Sequence, residues 1–236
     1  MPRGDGDGSC LGGWLKNSFI DFPGTVATVL FFRGCNLRCP YCHNPDLVNG
    51  TAQQLPFEEV YTFCEKRKGR INGVVLSGGE PTLHKKALPV IVRRLREIGM
   101  KIKLDTNGLL PATIIETAPD YLAFDLKTDP SRYGELGWQG SDCRQNLERS
   151  LAIVKYMKNN AEVRITVARP FVGDTDIETF LPMLQGVKNV YLQPFRNSGN
   201  LLDPSFGAEG SVDRESIERF RERLLTVVDR CTVRGE

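Results

Sequence analysis

The residues best suited to chemistry lie in one short stretch, Cys35-Asn-Leu-Arg-Cys39-Pro-Tyr-Cys42-His-Asn-Pro45. Thiolates are soft, strongly donating ligands, and Cys-x3-Cys-x2-Cys is too compact for scattered core packing, so the stretch reads as a metal or iron–sulfur site. Three thiols leave one coordination position open. A structural zinc site is closed by a fourth thiolate or imidazole, and His43 follows Cys42 too directly to complete the same tetrahedron. A 4Fe-4S cluster on three thiolates would instead expose one iron to a small molecule, which turns the open position to catalytic use.

The other four cysteines, Cys10, Cys64, Cys143 and Cys231, share no ligand spacing, and Cys64 falls on the apolar side of an expected helix as a small buried residue. One cluster is therefore expected, with no second ferredoxin-like set. The start of the chain is polar and Gly-rich, and no apolar run is long enough to span a bilayer, so a cytoplasmic protein without a disulfide framework is expected. A net charge of +2 with dispersed Lys and Arg gives no footprint for nucleic acid.

A chain of 236 residues can bury a sizeable core. Residues 1–11 are expected to be an unstructured tail and 12–236 a single domain. Apolar, β-branched runs mark strands at 25–32, 73–76, 101–104, 121–126, 163–167 and 190–192. Helical spacing marks 56–68, 84–98, 111–117, 142–158, 176–185 and 213–229. This alternation predicts an α/β protein with a parallel sheet and right-handed crossovers. Periodicity alone does not separate a six-stranded partial barrel from an open doubly wound sheet.

Parallel β/α units bind ligands at the carboxyl ends of their strands. The cysteine stretch follows the first expected strand, and Ser77-Gly78-Gly79-Glu80-Pro81 follows the second, with glycines that let backbone approach a ligand. Asp105-Thr106-Asn107-Gly108 follows the third; taken alone it is a capped turn. Asp125 and Lys127 share a face at the end of the fourth, a candidate site pair with a salt-bridged strand end as the bland alternative. Arg164 and Thr166 share a face of the fifth, and Gln193-Pro194-Phe195-Arg196 ends the sixth.

The cysteine pattern, with an aromatic residue before the last thiol, resembles the signature of the radical S-adenosylmethionine (SAM) superfamily, and Tyr41-Cys42-His43-Asn44 resembles its glycyl-radical-activating branch. Ser18-Phe-Ile-Asp-Phe-Pro-Gly24, the run 26–32 and Arg33-Gly34-Cys35 are similar to the lead-in segment of the activating proteins of anaerobic ribonucleoside-triphosphate reductase. The resemblance implies a partial (β/α)6 barrel and one 4Fe-4S cluster on Cys35, Cys39 and Cys42. It implies reductive cleavage of SAM to a 5′-deoxyadenosyl radical, which takes a hydrogen atom from a glycine of a partner enzyme, with reduced flavodoxin or ferredoxin as electron donor. Gly78, Gly79 and Glu80 match the segment that receives the methionine amino group, Tyr41 the position whose backbone meets adenine, and Arg164 a contact to the SAM end. Asp105, Thr106 and Asp125 resemble a monovalent-cation site, with Lys127 in its Asp-x-Lys element.

Arg196 stands where a related formate-lyase activase has a histidine, so that histidine's role does not transfer. No side chain needs to act as acid or base; His43 is expected as a donor behind the ligands and His84 as a surface residue. The 128–141 loop, with Tyr133 and Trp138, is read as a flexible lid, a docking surface or an ordinary loop, while Leu202-Asp203-Pro204 in the 197–211 loop again resembles the reductase activators. The rival readings are an activase of a formate-lyase-like or decarboxylase partner, a radical SAM enzyme with a small-molecule substrate, and a non-catalytic iron–sulfur or zinc module.

Overall fold

The structure is a computed structural model that describes residues 10–197, 199–207 and 210–235. Its contacts divide the chain into two compact units. The first holds residues up to Cys35, then Asp46–Thr106 and Ala112–Tyr121; the second holds Asn36–Pro45, Asn107–Pro111 and Leu122–Glu236.

In the first unit, β2 (Ala27–Phe32), β3 (Gly73–Gly78) and β4 (Lys101–Thr106) run parallel, with Leu30 beside Leu76 and Leu76 beside Leu104. These are three of the expected strands. Every residue of β2 except Phe31 is buried, as a parallel strand covered on both faces requires. Helices α1 (Pro45–Asn49), α2 (Phe57–Lys66), α3 (Ala87–Glu97) and α4 (Pro111–Thr117) follow strands β2 to β4 in chain order. Helix α3 buries Leu88, Ile91, Val92 and Leu95 on one stripe. Phe22, Ala27, Val29, Val75 and Tyr121 form one cluster of the core.

A further strand, β1 (Leu11–Ser18), pairs antiparallel with β2. The expected unstructured tail lies outside the described residues up to position 9, but Cys10 and Leu11 are buried. Two register shifts break β1's alternation, and the Trp14 indole N–H donates to the Thr28 hydroxyl at 2.5 Å to fasten it.

The second unit has the other three expected strands and one more, all parallel: β5 (Tyr121–Asp125), β6 (Ala161–Val167), β7 (Asn189–Pro194) and β8 (Arg230–Val233). Helices α5 (Cys143–Met157), α6 (Asp174–Leu184) and α7 (Arg214–Leu224) separate them. The 128–141 region is a built element: a 3-10 segment, Pro130–Leu136, capped by Asp129 and anchored by the fully buried Tyr133. Among the described residues, no helix is long and apolar enough to cross a membrane.

Candidate functional site

In the first unit the end of β3 is pressed onto the end of β2. The Gly79 N–H donates to the Phe32 carbonyl and the Glu80 N–H to the Gly34 carbonyl, both at 2.8 Å. A Cβ at Gly78, whose φ is 117°, would lie 2.3 Å from the Phe32 nitrogen, and one at Gly79 only 2.0 Å from the Gly34 oxygen. The two glycines are thus required for the strand end to reach the residues leading into Cys35.

Glu80 is buried, and its Oε1 accepts from the Thr82 N–H (3.0 Å), the Thr82 hydroxyl (2.5 Å) and the Thr106 hydroxyl (2.8 Å). This network joins Glu80 to Thr106, whereas Asp105 pairs with the buried Lys103. His84 differs from the expected surface residue: its Nε2 lies 2.7 Å from the Arg33 carbonyl, to which a protonated Nε2 donates, and its ring packs on Phe32 with centroids 5.4 Å apart. Burial holds its pKa below the ordinary histidine range despite that bond.

In the second unit, the cysteine loop is fastened at alternate residues to the loops that follow other strands. The Asn107 amide donates to the Asn36 side-chain oxygen at 2.7 Å. Backbone bonds follow at Arg38 N to Leu136 O (2.6 Å), Asp203 N to Pro40 O (3.1 Å) and Leu202 N to Cys42 O (2.9 Å). A turn closed by the Cys42 N–H on the Cys39 carbonyl (3.0 Å) sets those two thiols. Cys39 is buried, and desolvation pushes its thiol up to about 11, with Lys127 pulling the other way.

Asp125 and Arg164 are neighbours in the β5–β6 ladder, and Arg164 Nε reaches Asp125 Oδ1 at 2.6 Å while Lys127 Nζ reaches Oδ2 at 3.2 Å. Burial would raise the Asp125 carboxyl, but the two cations hold it well below the usual carboxylate range. Burial opposes the charge on Lys127, and Asp125 and Cys39 keep its pKa raised. The Lys127 N–H donates to the Tyr133 hydroxyl at 3.1 Å. Tyr41 packs against Phe171, Phe195 and Phe206 with ring centroids 5.6, 6.4 and 5.7 Å away, and the exposed His43 stacks on Phe195.

The structure therefore joins Glu80 with Thr106 in the first unit, and Cys39, Cys42, Asp125, Lys127 and Arg164 in the second. Among the described residues, no three Cys, His, Asp or Glu side chains already close on a common metal position. Sequence reasoning missed Asn36, Leu136 and Phe206 as parts of the site; Asn107 stood in a motif in which only Asp105 and Thr106 were given a role.

The pattern of the Radical SAM superfamily matches residues 29–184. The chain belongs to that superfamily. It is 31% identical over 192 residues to a Methanocaldococcus jannaschii protein named "Putative glycyl-radical enzyme activating enzyme", covering 78% of this chain and 79% of that one. It is 28% identical to the pyruvate formate-lyase 1-activating enzyme of Escherichia coli, covering 86% and 89%. The fold is similar to that of Streptococcus suis SuiB bound to S-adenosylmethionine, with a TM-score of 0.60 at 16% identity over 88% of this chain and 52% of that one.

Radical SAM enzymes use a 4Fe-4S cluster and SAM. The residues present fit them: three thiols in one stretch, none in a disulfide, with a cation beside Cys39, and, in the first unit, a strand end stripped of side chains at Gly78 and Gly79.

Proposed function

We propose that this radical SAM enzyme activates a glycyl radical enzyme, and that its partner is an anaerobic ribonucleoside-triphosphate reductase. The likeness to named activating enzymes, maintained over most of their length, is the observation that carries the activase reading. The reductase is favoured by Ser18-Phe-Ile-Asp-Phe-Pro-Gly24 and Leu202-Asp203-Pro204; the Escherichia coli relative favours a formate-lyase partner instead.

Cys35, Cys39 and Cys42 would hold the cluster. When bound, cluster and SAM supply one-electron cleavage of the sulfonium to methionine and a 5′-deoxyadenosyl radical. The chain's own residues orient and enclose. Gly78 and Gly79 offer bare backbone to the methionine amino group, with Glu80 fixed beside them by three donated bonds. Tyr41 presents its backbone to adenine while its ring stays anchored among phenylalanines. Arg164 and Lys127 supply positive charge for a carboxylate end, moderated by Asp125. Asp105, Thr106 and Asp125 would serve a monovalent cation, whose binding requires Asp105 and Asp125 to exchange their present Lys and Arg partners for the ion.

In this reading residues 12–236 act as one functional domain in the cytoplasm, with reduced flavodoxin or ferredoxin as donor. Electron paramagnetic resonance on reduced, iron-loaded protein mixed with SAM and each candidate partner tests the assignment. A glycyl-radical signal on the anaerobic reductase supports it. A signal only on a formate-lyase moves the partner, and SAM cleavage without a radical on either points to a small-molecule substrate.

A further inference from the structure

The turn at residues 202–206 is tied to the cysteine loop at two consecutive backbone positions, Leu202 N to Cys42 O and Asp203 N to Pro40 O. It is also closed on itself. Asp203 Oδ1 accepts from the Ser205 N–H (2.9 Å) and the Ser205 hydroxyl (2.6 Å), and the Phe206 N–H donates to the Asp203 carbonyl (3.1 Å). Pro204, with its fixed φ, stiffens the turn.

What this turn presents is the Phe206 ring. Its centroid lies 5.7 Å from Tyr41, 6.1 Å from Phe171 and 5.3 Å from Phe195. A Cβ at Gly210 would come within 2.5 Å of Phe206 and 2.9 Å of Phe195, so that glycine makes room for both rings. Tyr41, Phe171 and Phe195 are buried whereas Phe206 is half-buried, which makes Phe206 the member of the four that faces solvent. Tyr41 sits between Cys39 and Cys42 in the chain, and its buried hydroxyl lies beside the Cys39 thiol.

We propose that Phe206, carried by the 202–206 turn, is a shielding residue for the iron–sulfur cluster, keeping water from the side occupied by Cys39, Tyr41 and Cys42 and so holding the cluster's reduction potential low. The inference rests on thiolate ligation by Cys35, Cys39 and Cys42. A thiolate-ligated 4Fe-4S cluster gains negative charge on reduction, and water stabilises the more highly charged state, so solvent exposure is one determinant of its potential. Excluding water keeps the reduced cluster a strong reductant, as one-electron cleavage of a sulfonium demands.

The test is a redox titration of the anaerobically reconstituted full chain, followed by paramagnetic resonance, together with the rate at which a chelator extracts its iron. Phe206→Ala should load the same iron, move the midpoint to more positive potential and release iron several-fold faster, while Phe206→Leu stays near the unmodified protein. Asp203→Ala alters no ring and no thiol, and should shift both readouts in the same direction by less, which keeps the inference testable if Phe206→Ala does not fold. Variants with full iron and an unchanged midpoint and extraction rate overturn the shielding role. An unmodified chain that builds no cluster overturns the ligation on which it rests.

Discussion

The N–H of Leu202 donates to the carbonyl of Cys42 at 2.9 Å, so the third thiol of the cysteine stretch is held by a residue 160 positions later in the chain. With the bonds at Asn36, Arg38 and Pro40, it makes the loop a rigid platform set by its neighbours. A site that must hold a cofactor in one geometry gains from such support, because its ligands do not have to be ordered when the cofactor binds.

Replacing any one thiol should therefore remove the cofactor without unfolding the chain. Cys39→Ala is expected to lose iron and visible absorption while its far-ultraviolet circular dichroism matches the unmodified protein, because the thiol stands on a loop and joins no strand or helix. Full iron in Cys35→Ala, Cys39→Ala and Cys42→Ala alike would remove these residues as ligands.

Gly79→Ala places a methyl 2.0 Å from a backbone oxygen that no rotamer change can move. Overpacking of this kind costs about 1–3 kcal/mol. Urea unfolding should show a lower midpoint at unchanged slope, with weaker SAM binding in parallel. Wild-type stability would mean that the ends of β2 and β3 separate easily.

Asp125→Ala leaves Arg164 and Lys127 side by side without their shared carboxylate. Breaking a fully buried pair costs about 3–5 kcal/mol, and because these side chains are about one-fifth exposed a loss of about 2 kcal/mol is expected. Denaturant titration measures it, and a loss below about 0.5 kcal/mol would place the triad with ordinary surface pairs.

Stability should also fall as pH drops below about 6.5, and His84 is the cause. Its folded pKa lies below the unfolded value, so under pH 6.5 the unfolded chain binds a proton that the folded chain resists, and unfolding gains. The carboxylates held below their ordinary range, such as Asp125, weaken the fold only at still lower pH, near 4 and under. Urea midpoints between pH 7 and 5 should slope downward in the unmodified protein and flatten in His84→Gln. An equal slope in both would assign the effect elsewhere.

Six strands and the cysteine site were legible because apolar runs and thiol spacing are written in side chains. Strand β1 was not, since two glycines and two register shifts erase its alternation and its place depends on pairing with β2. Strand β8, four residues long after α7, is too short to show a period. The anchors of the cysteine loop escaped for a different reason: the N–H of Leu202 and Asp203 and the carbonyl of Leu136 are backbone groups, which every residue carries. The 128–141 region looked loose through its glycines, yet Tyr133 is fully buried and ties it to Lys127.

The most direct measurement is the yield of 5′-deoxyadenosine and methionine from SAM with anaerobically reconstituted, chemically reduced protein. Brown protein holding about three to four irons per chain, forming both products, with formation lost in the Cys39→Ala variant, is the expected result. Colourless protein that takes up one zinc and leaves SAM intact would contradict the account.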